Sequence, residues 1–105
     1  MKIELLLILA IDFEKKILVA KTVKKKVKSK FELEIVDLVR QKRRENKLTQ
    51  ENIATILNVT PGYIGQIESK NEPSMYTHDQ LNVLAGEMEC SPREFYPMKS
   101  YKLVR

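Results

Sequence analysis

The chain has 105 residues, of which 43% are hydrophobic and 31% charged, as is typical of one globular domain rather than of a disordered or membrane protein. The formal net charge is +5, but residues 1–30 hold nine lysines against three acids, whereas residues 31–95 hold seven basic and eleven acidic residues. The part with helical spacing is therefore acidic, and a polyanion would have to bind local basic patches or the chain ends.

The sequence contains few residues that could bind a metal or take part in redox chemistry. Cys90 is the single cysteine and His78 the single histidine. One cysteine excludes an intrachain disulfide, and two such ligands are too few for a zinc site. The sequence also lacks paired carboxylates beside a nucleophile and a phosphate-cradling glycine loop. We therefore predict no metal site, no cofactor and no enzymatic activity.

Residues 1–23 contain two apolar segments, "IELLLILAI" and "ILVAKTV", separated by "DFEKK". The run from Leu5 to Ile11 is far shorter than the roughly 20 residues of a membrane span, and no small-residue cleavage site follows it. We predict a cytoplasmic protein without membrane association. A buried β-hairpin is the favoured structure for this segment, with a helix as the alternative. The lysine tract 21–30 is interpreted as a linker or flexible arm.

Helical spacing begins at Phe31 and predicts a first helix that ends near Asn46 and Lys47. Four further helices are predicted from residues that commonly cap helix N-termini, two of them followed by proline at the first helical position. These caps are Thr49, Thr60 before Pro61, Thr77, and Ser91 before Pro92. The prediction is an all-α fold of five helices, and "PMKSYKLVR" is interpreted as an extended tail.

The second and third predicted helices are joined by a turn of only three or four residues. Two helices so closely connected must cross steeply, as in a helix-turn-helix unit whose second helix can enter the major groove of DNA. Ala54 provides the small residue where the helices touch, and Asn58 tolerates the left-handed conformation that the corner requires.

The stretch "LTQENIATILNVTPGYIGQIESK" resembles the phage-repressor (XRE/Cro-like) helix-turn-helix family. The matching positions are Gln50, Ala54, Asn58, Ile64 and Ile67, and the likeness extends from about Ile35 to Pro97. The resemblance implies a five-helix domain that binds double-stranded DNA. The sequence departs from the family at Asn58, where glycine is often found, and at Lys70 after "IES".

The resemblance also implies an ion pair between Arg43, late in the first helix, and Glu68, at the end of the recognition helix. A bidentate pair would fix the third helix against the first. The alternative is that both are solvated surface charges.

If Ile64 and Ile67 face the core, Gly62 and Gln66 point outward on the surface that a groove would contact. Gln66 is the best candidate for base readout, because its amide can pair bidentately with adenine. Gly62 would let the backbone approach the DNA, whereas Gly65 can equally be small because helix two passes nearby. The predicted DNA contacts are Thr49, Gln50, Thr60, Gly62, Tyr63, Gln66, Lys70, Arg43 and Arg44.

We predict a DNA-binding regulator of transcription, a repressor acting as a homodimer with the apolar N-terminus as a candidate dimer surface. Lysines 24–30 either contact phosphates or only keep that segment soluble. The domains are an N-terminal segment and arm (1–30), the DNA-binding domain (31–97) and a tail (98–105). Two alternatives stay open: an antitoxin whose N-terminus covers a toxin partner, and a protein-interaction adaptor without DNA binding.

Overall fold

A computed structural model of the chain describes residues 27–102, and the predicted hairpin or helix of residues 1–23 lies outside this part. Residues 27–102 form four α-helices, one 3-10 helix and no β-strand, so the predicted all-helical class is confirmed there. The elements are α1 (Lys30–Glu45), α2 (Gln50–Leu57), α3 (Pro61–Glu68), α4 (His78–Glu87) and the 3-10 helix Pro92–Phe95.

The fifth predicted helix is a single 3-10 turn rather than an α-helix. Ser91 caps it and Pro92 occupies its first turn, as predicted. The five residues between Ser91 and Pro97 leave room for little more than one turn, which is too short for a ladder of α-helical hydrogen bonds. The turn nevertheless places Phe95 in the core, where its side chain is fully buried.

Helix α1 begins at Lys30, one residue before the predicted start, because Ser29 and Glu32 form a capping box. The Ser29 hydroxyl accepts from the Glu32 N–H at 3.1 Å, and the Glu32 carboxylate accepts from the Ser29 N–H at 2.9 Å. A serine followed three residues later by glutamate is a known start signal, and it was readable in the sequence. The predicted caps of α2, α3 and α4 are confirmed.

The chain bends between α2 and α3 at Asn58. Its backbone adopts φ 57° and ψ 47°, which is the left-handed region predicted for this corner. The Val59 N–H then donates to the Ala54 carbonyl at 2.9 Å, so the last turn of α2 is closed by a backbone hydrogen bond. Ala54 itself is buried, and α2 and α3 pack directly against each other.

One core joins all five elements. Apolar side chains from each helix meet there, and Tyr76 joins them from the loop before α4. The buried residues are Ile35, Val36, Val39, Ile53, Ala54, Ile64, Ile67, Tyr76, Leu81, Leu84, Ala85, Met88 and Phe95. Two of them, Ile64 and Ile67, are the inward residues predicted for α3, and that prediction is confirmed.

Both described ends of the chain lie beside α1. The Tyr101 hydroxyl donates to the Glu34 carboxylate, so the tail returns along the first helix. Residues 100–102 and 27–31 line a common groove. None of the helices in residues 27–102 has the length and apolar character to cross a membrane.

Candidate nucleic-acid interface

Helix α3 has one face in the core and the other in solvent. Ile64 and Ile67 are fully buried, whereas Gly62 and Gln66 are exposed. This division follows from 100° of rotation per residue, which places positions 62 and 66 on one side and 64 and 67 on the other. The side bearing Gly62 and Gln66 is therefore open to a large ligand.

The two glycines of α3 differ in their surroundings. A Cβ atom at Gly62 would meet nothing within 4 Å. A Cβ at Gly65 would lie 3.9 Å from Oε1 of Gln50, which is an ordinary van der Waals contact with the start of α2. Packing within the described residues therefore requires glycine at neither position. Contact with an external surface therefore remains as an explanation for glycine at position 62. Gly65 does lie beside α2, as one of its two explanations requires.

Gln66 combines an exposed side chain with a fixed oxygen. Its Oε1 accepts from the Ser74 hydroxyl at 3.2 Å, which orients the amide across the α3–α4 loop. The amide nitrogen Nε2 has no hydrogen-bond partner in residues 27–102, so both of its hydrogens can be donated outward.

Tyr63 projects less freely than predicted. Its ring is half-buried against the core, and its hydroxyl donates to the Met75 carbonyl at 3.4 Å. Tyr63 therefore contacts the α3–α4 loop through both its ring and its hydroxyl. Its position on the flank of α3, beside the buried face, accounts for this placement.

The predicted polar contacts at the helix starts are already engaged in capping. The hydroxyls of Thr49 and Thr60 accept backbone N–H groups of their own helices, and their hydrogens remain available to donate. The Gln50 amide donates to Glu68 Oε1 at 2.9 Å, which leaves its carbonyl oxygen as the free group.

Glu68 receives hydrogen bonds from two other helices. Arg43 Nε and Nη2 donate to its two carboxylate oxygens at 2.9 and 3.0 Å. Arg43 Nη1 also donates to the Leu48 carbonyl at 2.9 Å, and only 11% of the Arg43 side chain is exposed. These contacts occupy the Arg43 guanidinium inside the fold, so its predicted role as a DNA contact does not fit this geometry. Its neighbour Arg44 is exposed.

Arg40 is a second cation at the same carboxylate, and no sequence pattern indicated this contact. Its Nη2 donates to the Glu68 backbone carbonyl at 2.6 Å, and its Nε lies 3.4 Å from Oε1. Burial alone would raise the pKa of the Glu68 carboxyl. The hydrogen bonds from Arg43 and Gln50, with the charges of both arginines, lower that pKa below its ordinary value.

Lys28 belongs to the lysine tract 21–30, which the sequence analysis interprets as a linker or flexible arm. Its position in the structure differs from that expectation. Its side chain is buried, and its ammonium donates to the backbone carbonyls of Gln66, Ser69 and Glu72. Burial lowers the pKa of the Lys28 ammonium, against the charges of Glu32 and Glu72. A lysine among lysines gives no sequence signal for such a placement.

The cations expected near the groove divide into two groups. Arg40, Lys42 and Arg43 form ion pairs with acidic side chains of the domain. Arg44, Lys47 and Lys70 are exposed and have no ion pair within residues 27–102. Fewer positive charges are therefore available to a phosphate backbone than the sequence suggested.

Residues 39–77 match the family model described as helix-turn-helix. The matched segment runs from the middle of α1, through α2 and α3, to the cap of α4, so it contains the elements described above. The chain matches no curated protein and no solved structure. The match supports DNA binding as the general role of this unit.

Proposed function

We propose that this chain, whose residues 39–77 match the helix-turn-helix family model, is a phage-repressor-like (XRE/Cro-like) protein and a sequence-specific DNA-binding regulator of transcription. A repressor is the simplest form of the proposal, because occupying a site can block transcription without any further contact. The observation that carries the proposal is the open face of α3, where Gly62 and Gln66 are exposed above a fully buried Ile64 and Ile67.

In this proposal α3 lies in the major groove with its Gly62 side toward the bases. The free Nε2 of Gln66 then donates to a base edge, and adenine or guanine offers the matching acceptors there. Gly62 presents only backbone at the point of closest approach, so the helix can lie deeper in the groove. Sequence preference would therefore depend mainly on Gln66.

Phosphate contacts come from the helix starts in the same proposal. The exposed hydroxyls of Thr49 and Thr60 and the backbone N–H groups near Gln50 lie at helix N-termini, where an anion is favoured. Arg44 and Lys70 are the exposed cations assigned to this role. Such contacts position the protein without selecting a sequence.

The proposal includes a homodimer. A single recognition helix contacts few base pairs, and two copies reading half-sites about one helical turn apart gain both affinity and specificity. A near-palindromic binding site with that spacing is the expected consequence.

The test is selection of bound sequences from a random DNA pool, followed by affinity measurements on the selected site. Gln66→Ala is expected to relax the preference at one base position of each half-site, at a cost of about 1–3 kcal/mol for the preferred base. Gln41→Ala is the matched control. Gln41 is exposed on α1, and its replacement removes the same amide group away from α3.

The proposal fails if the parent protein selects no sequence from the pool at low salt. It also fails in its present form if Gln66→Ala and Gln41→Ala retain the same base preferences as the parent, because α3 would then not be the reading element.

A further inference from the structure

Helix α3 ends differently from the other helices of residues 27–102. The ends of α1, α2 and α4 each include a residue in the left-handed region, namely Lys47, Asn58 and Glu89. After α3, Ser69 is extended and no residue of the following loop has a positive φ. The end of α3 therefore lacks the backbone hydrogen bonds that a left-handed residue would bring back to it, and the Ser69 N–H donates only to the Gln66 carbonyl.

Lys28 and Arg40 supply hydrogen-bond donors at this end of α3. The Lys28 ammonium lies 3.2 Å from the Gln66 carbonyl and 2.6 Å from the Ser69 carbonyl, and it also donates to the Glu72 carbonyl. An ammonium has three N–H groups, and here each has one acceptor. A cation at this position also complements the negative end of the α3 dipole. The same charge satisfies the helix end and fixes the loop behind it.

One of the three acceptors belongs to the residue assigned to base readout. Lys28 holds the Gln66 carbonyl, while Ser74 holds the Gln66 side-chain oxygen. The backbone of Gln66 is therefore held by a residue 38 positions earlier in the chain.

We infer that Lys28 is a positioning residue for DNA reading, which orients Gln66 by fixing the last turn of α3 and the loop to Glu72. This inference rests on the proposed function. Lys28 makes no phosphate contact in it, because its ammonium is buried under carbonyl groups. In this inference a residue just before α1 determines the orientation of α3, the proposed recognition helix.

The first test is amide hydrogen exchange of the free protein, which needs no DNA. Ser69 and Glu72 donate their N–H groups to the Gln66 and Ser69 carbonyls, two of the acceptors of Lys28. Lys28→Met is expected to speed exchange at these two amides at least tenfold, while Ile53 in α2 keeps its rate. Lys30→Met, the loss of an exposed lysine two residues away, should leave all three unchanged. Unchanged rates at Ser69 and Glu72 in Lys28→Met would overturn the inference.

The second test is affinity for selected and unrelated DNA as a function of salt. The affinity of Lys28→Met for the selected site is expected to be at least tenfold lower than that of the parent, and its affinity for unrelated DNA nearly unchanged. The salt dependence of its affinity should have the same slope as in the parent. If Lys28 contacted a phosphate, Lys28→Met would instead weaken binding to both DNAs and lower the slope of the salt dependence by about 0.9. That result, or equal losses on both DNAs, would refute the positioning role. Lys28→Arg retains the charge and replaces Lys28→Met in this test if Lys28→Met does not fold. Its affinity for the selected site is expected to fall by a smaller factor, again with little change on unrelated DNA.

The two tests separate the inference from the proposed function. If the parent protein shows no preferred DNA sequence, the proposed function fails and the positioning role fails with it, whereas exchange at Ser69 and Glu72 still decides whether Lys28 fixes α3. If the parent is selective but Lys28→Met binds its site as tightly as the parent, only the positioning role fails.

Discussion

Arg43 and Glu68, 25 residues apart in the chain, form a bidentate ion pair that joins α1 to the end of α3. Their side chains are only 11% and 6% exposed. Water therefore screens the pair little, and removing one partner leaves a buried charge without its counter-charge. The pair is better understood as a constraint on the orientation of α3 than as a surface contact.

Loss of the Glu68 carboxylate should destabilise the domain strongly. Glu68→Ala is expected to lower the free energy of unfolding by about 3 kcal/mol, because the Arg43 guanidinium then stays buried without its counter-charge. Urea denaturation followed by circular dichroism measures the change. Glu45→Ala is the control, since Glu45 is 66% exposed and 3.7 Å from Lys42, and its effect should stay below about 0.5 kcal/mol. Equal losses in the two variants would contradict this account of the pair.

The same carboxylate predicts a dependence of stability on pH. Burial alone would raise the pKa of the Glu68 carboxyl, but the hydrogen bonds from Arg43 and Gln50 hold it below its ordinary value, so ionised Glu68 stabilises the fold above that ordinary value. This contribution is lost as the pH falls from the ordinary pKa through the lower folded-state pKa. The difference in unfolding free energy between the parent and Glu68→Gln should therefore shrink on acidification. A difference that is constant from pH 7 to pH 3 would show that Glu68 does not titrate in this way.

Glycine at position 62 should be needed for DNA binding but not for folding. Gly62→Ala is expected to raise the free energy of unfolding by up to about 1 kcal/mol, since the added methyl meets nothing and glycine is a poor helix former. Gly62→Met should weaken binding to the selected DNA at least tenfold by keeping α3 out of the groove. Gly86 is the matched control, because it is an equally open glycine on α4. If Gly86→Met weakens DNA binding as much, the open face of α3 is not the interface.

Asn58 should be sensitive to alanine and tolerant of glycine. Its φ of 57° costs an alanine about 1 kcal/mol, whereas glycine adopts the same conformation without a steric penalty. Thermal unfolding of Asn58→Ala and Asn58→Gly measures the difference. Asn82→Ala, at an exposed position inside α4, should be neutral or stabilising because alanine is the better helix former there. A loss in Asn82→Ala equal to that in Asn58→Ala would remove the left-handed backbone as the explanation.

The parts of the fold that the sequence predicted well are those encoded locally. Thr49, Thr60 and Thr77 cap helices through bonds that span three residues, so the residue types and their spacing are sufficient. Asn58 is similar, because its backbone conformation depends on its own side chain. Ile64 and Ile67 followed from helical periodicity.

The parts that could not be predicted depend on long-range contacts of charged side chains. Lys28 lies in a lysine tract whose members look alike in the sequence, and only the fold shows which one reaches the end of α3. Arg40 and Arg43 are neighbours in a basic run that also includes the exposed Arg44. The pairing of Arg43 with Glu68 was implied by the family resemblance and is present in the structure, whereas the contacts of Arg40 with Glu68 became identifiable only when the angle between α1 and α3 was known.

The placement of Lys28 also bears on where the domain can be cut. A fragment that starts at Phe31, the first residue of the predicted DNA-binding domain, would lack both Ser29, which caps α1, and the Lys28 ammonium, which binds the end of α3. Such a fragment would still carry every proposed base contact, yet we expect it to underestimate the selectivity of the intact chain. Truncations and tags for studying this protein are therefore best placed before residue 28.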